Sequence, residues 1–198
     1  MLDELLRQPG VVETTELRST FGFMAFHGGL EGGTETVAAQ AARRAAASLY
    51  LVVQPPSLVW HIPSHFVSPD HSPGLARFLE HVEVAVAVHG YGRKGRPDDL
   101  LLGGTNRALA AHLAASFRRR HDGFTIVDDL AAIPVELRGL HPDNPVNRPR
   151  QGGVQVELPP RARGASPSPL RRGDLCVPSQ TVVDALTETA MTWPPRDL

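Results

Sequence analysis

A three-layer α/β/α protein with a mixed, mostly parallel central sheet is the fold class this sequence predicts. Short apolar runs recur along its 198 residues, and alanine-rich stretches of helical length fall between them. Its 18 glycines and 18 prolines read as frequent turns rather than disorder, because the apolar segments keep returning. Strands that alternate with helices of this length build a sheet covered on both faces.

Taken in order, residues 21–26 (FGFMAF) read as a buried strand, 34–47 as a helix and 48–53 (SLYLVV) as the next strand. A helix is expected at 73–81 and a strand at 83–88 (EVAVAV). Residues 105–120 carry Leu109, Leu113 and Phe117 at four-residue spacing, as one buried helix face requires. Two more strands are expected at 124–127 (FTIV) and 154–158 (VQVEL). A closing helix at 179–191 is started by Pro178 and Ser179. The Pro/Ser/Arg-rich stretch 159–172 reads as a surface loop inside a single domain covering 1–198.

Composition excludes several functions. Hydrophobic residues make up 41% and charged residues 21%, as in globular proteins. No apolar run approaches the roughly 20 residues of a membrane-spanning helix, and the opening MLDELLRQPG is no secretory signal. A net charge of −1 gives no reason to expect nucleic acid as a partner. The lone cysteine, Cys176, precludes an internal disulfide framework and suits a reducing compartment, so a cytoplasmic setting is expected. Oligomeric state is not legible.

The chemistry gathers at strand ends. After the first strand come His27, a glycine-rich loop, Glu31 and then a helix. In open α/β sheets, ligands bind beyond the carboxyl ends of the strands, where this loop should lie. A plain strand-to-helix turn with a stray histidine is the alternative for His27 alone. The strand at 83–88 then runs into His89 and Gly90, repeating the pattern. Two histidines and a glutamate at one sheet edge are the ligand set of a catalytic zinc site. Glu157, near the end of a short apolar strand, is the candidate general base; a solvent-facing edge glutamate is its alternative. Arg93, Lys94 and Arg96 follow His89, and Arg148, Arg150, Arg161 and Arg163 flank Glu157, which suggests an anionic substrate. His61 and His65 share a Pro-containing loop suited to contacts around the metal or the substrate. His71, His81, His112, His121 and His141 show no partner pattern.

These motifs, in order, resemble the poly-γ-glutamate hydrolase family. The series is HGG with a following Glu and Thr (27–34), HIPSHF (61–66), HGY (89–91), GGTNR (103–107), NPVNR (144–148) and GVQVEL (153–158), with Arg161 and Arg163 beyond. It runs from about Gly22 to the last helix. The resemblance implies a zinc-carboxypeptidase-like fold and one Zn2+ per chain held by His27, Glu31 and His89. It also implies Glu157 as catalytic carboxylate, with Asn106, Asn147 and Arg148 near the substrate; Arg93 and His61 join them as candidate substrate contacts. The substrate so implied is an anionic γ-glutamyl amide, small or polymeric. Phage-type members place one more residue between the histidine and the glutamate, so the loop here must close more tightly. HIPSH also replaces their HITS-type segment.

Two other readings stand beside this one. A non-catalytic metal- or anion-binding protein would need the same pocket. A serine esterase shares HGG as an oxyanion loop but needs a GxSxG elbow, which this chain lacks.

Overall fold

The computed structural model describes residues 1–120, 123–164 and 178–194. Its helices are α1 (Leu2–Leu6), α2 (Thr34–Ala45), α3 (Pro73–His81), α4 (Arg107–Arg118) and α5 (Gln180–Thr192). Its strands are β1 (Val12–Glu16), β2 (Ser19–Gly28), β3 (Ala47–Val53), β4 (Val84–Gly90), β5 (Asp99–Leu102), β6 (Thr125–Val127) and β7 (Gly153–Leu158). They form one sheet in the order β1-β3-β2-β4-β7-β5-β6. Four of its pairings are parallel, and β1–β3 and β5–β7 are antiparallel. The α/β class and the mixed, mostly parallel sheet are therefore as expected.

Alternation of side chains sorts the core into two layers. Phe23, Val86 and Val154 face α2, α4 and α5, whose Val37, Ala41, Leu113 and Val182 are fully buried. Met24, Phe26, Tyr50 and Ala87 face the other way, against Leu2 and Leu5 of α1 and Leu75 and Phe78 of α3. Strands covered on both faces carry near-continuous apolar runs, which is why β2, β3, β4 and β7 stand out in the sequence.

Three elements escaped that reading. Strand β1 (VETTE) is a half-buried edge with no apolar run, β5 has four residues, and α1 is a single short turn. Helix boundaries moved for local reasons. Helix α2 stops because Ala46 adopts φ 51, in the left-handed region, and β3 begins at once. Helix α4 starts later than expected because Asn106 is its N-cap, accepting from Leu109 N–H. The expected surface loop at 159–172 is corrected over its described part. Residues Pro160–Arg163 form a 3-10 turn, and Ala162 and Arg163 are buried. The rest of that stretch, together with Cys176 and His121, lies outside the described residues. No described helix is long and apolar enough to cross a membrane.

The sheet order places the site. From β2 the chain passes through α2 to β3 on one side, then through α3 to β4 on the other. The strand order thus reverses between β2 and β4, the kind of switch point where α/β sheets open a crevice.

Candidate metal centre

His27, His89 and Glu157 come from the carboxyl ends of three adjacent parallel strands, β2, β4 and β7. His89 and Glu157 sit directly opposite each other in the ladder and share a face with Ala85 and Ala87. His27 would not share it by alternation, since Phe21, Phe23 and Ala25 point toward α2. A bulge corrects this. Between the pairs Ala25–Leu51 and Gly28–Val53, β2 uses one residue more than β3. The extra residue turns His27 to the His89 side, where its ring lies 5.1 Å from that of His89 and 4.9 Å from Phe26.

The glycines after His27 let the loop close. Gly29 has φ 71, which favours glycine, and Glu31 N–H donates to His27 O at 2.8 Å. The Glu31 carboxylate is thereby folded back over the strand ends. Its Oε1 is 3.0 Å from His27 Nδ1, and its Oε2 is 3.4 Å from His89 Nδ1 and accepts from Gly90 N–H at 2.9 Å. One ligand atom from each of the three residues lies within 4.8 Å of the others, and no second such group is found among the described residues. The short spacing between His27 and Glu31 therefore closes without loss of convergence.

The donor set fits zinc. His27 Nε2 lies 2.8 Å from Ile62 O; a proton there leaves Nδ1 as a lone pair facing Glu31. His89 Nε2 is buried with no hydrogen-bond partner among the described residues. Two imidazoles and one carboxylate are the three protein ligands that catalytic zinc takes, with a further position open. Electrostatics agree. Burial opposes the Glu31 charge, yet His89 and His27 hold its carboxyl far below the usual range. Burial likewise opposes a charged His89, but the Glu31 carboxylate raises it.

Glu157 is 3% exposed, so the solvent-facing alternative fails. Burial pushes its carboxyl up to about 7, with Glu31 adding and His89, Gln155 and Arg163 opposing. Gln155 Nε2 donates to Glu157 Oε1 at 2.8 Å, and Asn144 Nδ2 donates to Gln155 Oε1 at 2.8 Å. Sequence reading passed over this support; GVQVEL and NPVNR contained it without a local sign of contact. His27, Glu31, His89 and Glu157 open on a cleft of about 560 Å3 that His61, His65, Glu136 and His141 also line. A second hollow of about 450 Å3, between α2 and the β1–β3 edge, holds none of these residues.

The other expected contacts are placed differently. His61 does line the cleft, its ring 4.7 Å from His27. Asn106, Asn147, Arg148 and Arg93 do not line it. Asn106 caps α4 and donates to Gln151 O, which uses both ends of its amide. Asn147 accepts from Thr105 and donates to Gly139 O and His141 O, so it braces the cleft wall. Arg148 pairs with Asp143 at 4.0 Å, and Arg93 pairs with Glu136. Arg96, Arg150 and Arg161 likewise face Asp99, Glu83 and Asp98. The arginine cluster seen along the sequence thus resolves into separate ion pairs.

Arg163 differs from these. It is 7% exposed and donates to Leu158 O at 3.0 Å, Gly32 O at 2.6 Å and Tyr91 O at 3.5 Å. Its guanidinium lies so close to Gly90 that a Cβ there would stand 2.6 Å from Cζ. One side chain therefore ties together the backbone following Glu31, His89 and Glu157.

Comparison with known proteins gives a consistent result. A family model described as poly-γ-glutamate hydrolase matches residues 3–166. The UPF0714 protein YndL of Bacillus subtilis (strain 168) is 31% identical over 153 residues, 75% of this chain. The matched region spans 56% of that relative's length. Among solved structures, a bacteriophage poly-γ-glutamate hydrolase aligns with TM-score 0.74 and 24% identity, over 96% of this chain and 93% of that one. A zinc-free apo form of YndL aligns with TM-score 0.65 and 25% identity, over 94% and 90%.

Proposed function

The chain belongs to the poly-γ-glutamate hydrolase family, and on that premise we propose that it is a zinc-dependent amidohydrolase of γ-glutamyl or related anionic amides. The observation that carries this is the convergence of His27, Glu31 and His89 beside a buried Glu157 whose carboxyl is pushed up to about 7. That a solved relative is described as zinc-free supports zinc as the metal. The whole chain, 1–198, is taken as one such hydrolase domain, its expected setting the cytoplasm.

When bound, zinc supplies Lewis-acid polarisation of the scissile carbonyl and lowers the pKa of water toward neutrality. The chain's residues do the rest. His27, His89 and Glu31 would hold the ion, with Ile62 O fixing the tautomer of His27. Glu157 is poised near neutrality to take a proton from the attacking water and pass it to the leaving nitrogen. Gln155 holds one Glu157 oxygen, which leaves the other for proton transfer.

The test combines metal content with turnover on a panel of γ-glutamyl peptides. About one zinc per chain is expected in the parent and almost none in His89→Ala. Glu157→Gln should keep its zinc and lose turnover by roughly 10²- to 10⁴-fold. A parent that holds zinc but turns over no peptide of the panel would favour the non-catalytic binding protein. Turnover unchanged in Glu157→Gln would remove Glu157 as the base, and a parent without zinc sinks the zinc-dependent reading.

A further inference from the structure

The cleft poses an electrostatic problem. It is lined by three carboxylates, Glu31, Glu136 and Glu157, and among its described lining residues there is no lysine or arginine. An anionic substrate needs hydrogen-bond donors in that space, and histidines are the side chains that offer N–H groups of cationic capacity. His27 and His89 face Glu31, and His61 leans on His27. His65 and His141 remain.

These two come from different loops. His65 lies in the turn Ser64–Phe66, in a loop anchored at the metal end through His27 and Ile62 O. His141 lies in a loop that Asn144 ties to Gln155, the residue holding Glu157. Their rings stack with centroids 4.7 Å apart at an interplanar angle of 29°. Asp143 N–H donates to His141 Nδ1 at 3.1 Å, so the neutral ring carries its proton on Nε2, away from that contact. The His141 side chain is 51% exposed and accessible to an incoming ligand. Val135 and Leu140 line the same cleft and are 73% and 40% exposed.

We propose that the stacked His65–His141 pair is the subsite for the free α-carboxylate of a γ-linked glutamyl residue. This rests on the hydrolase reading above and names the recognition element of the same site. A γ-linked glutamyl unit carries one carboxylate beside its chain and two methylenes within it. Imidazole N–H groups in a cleft that apolar Val135 and Leu140 also line match both features. Glu136 is engaged by Arg93, which reduces its repulsion of that carboxylate.

The test compares γ-linked oligoglutamate with its α-carboxamide counterpart as substrates of the zinc-loaded enzyme. His141→Phe and His65→Phe keep a ring for stacking and remove the donors, and His141→Gln returns one donor. The parent should prefer the acid over the amide in kcat/KM. Each Phe variant should lower that preference about tenfold or more, and His141→Gln should recover part of it, because a hydrogen bond to a charged group is worth that much. Zinc content should be unchanged throughout. A preference that survives both Phe variants, or a parent that does not prefer the acid, overturns the subsite. Calorimetric binding of both ligands to zinc-loaded Glu157→Gln separates the two ideas. If the parent turns over neither ligand but this protein binds the acid preferentially and loses that preference with His141→Phe, the subsite stands and the hydrolase reading falls. If it binds neither ligand, both fall.

Discussion

Glu157 shows how burial can bring a carboxyl near neutrality at the expense of stability. Its carboxyl sits in a buried strand end, and burial raises it from 4.5 to about 7. The folded chain therefore holds this proton more tightly than the unfolded chain does. The resulting penalty is absent below about pH 4.5 and grows as pH rises toward 7. In the zinc-free protein, Glu157→Gln should leave stability little changed at pH 4 and increase it by about 2–3 kcal/mol at pH 8. Urea unfolding at both values checks this. An equal change at the two pH values would mean that burial of the charge is not the cause. Glu31, partly buried among histidines, has the opposite behaviour because His89 and His27 favour its charged form. Two carboxylates in one cleft are thus driven apart, one held charged and the other poised to exchange a proton.

At the scale of elements, the candidate metal centre depends on strand ends that are held together from behind. Arg163 reaches the backbone next to Glu31, His89 and Glu157, and Gly90 leaves room for its guanidinium. Arg163→Met should strand these carbonyls, lower stability by about 2 kcal/mol and weaken zinc binding about tenfold, with Arg163→Lys recovering part of both. Competition with a chromophoric chelator measures the second effect. Lost stability with unchanged zinc affinity would make Arg163 a packing residue only. The repeated His-Gly strand ends look alike in sequence but have different causes. Gly90 is required by Arg163, whereas a Cβ at Gly28 would meet Val52 O at 2.9 Å.

Over the whole molecule, the helical layer behind the sheet is closed by charge as well as packing. Glu188 of α5 accepts from Arg119, Arg120 and Ser116 of α4 and its C-terminal end. The hydrogen bond from Arg120, with those from Arg119 and Ser116, holds its carboxyl at about 2 against the pull of burial. This contribution is fully present above about pH 4.5 and is lost as pH falls toward 2. Glu188→Gln should therefore lower the melting temperature at pH 7 and flatten its decline on acidification, as differential scanning calorimetry at pH 7, 4 and 3 would record. A decline as steep as the parent's would mean that other carboxylates govern the acid limb.

Much of this protein was legible from its residues alone. Strands β2, β3, β4 and β7 are buried on both faces, so their apolar runs mark them, and parallel strands must bring their carboxyl ends to one edge. That is enough to place His27, His89 and Glu157 at a common rim. The tertiary structure decided what lies beyond local pattern. Alternation would have turned His27 away from His89, and only the bulge against β3 reverses it. Charge written along a chain does not say which acid each arginine will meet, so Arg93 and Arg148 went to ion pairs while Arg163 went inside. His65 and His141 carry no periodic signal, because two loops far apart in sequence meet only when the sheet beneath them fixes where each begins.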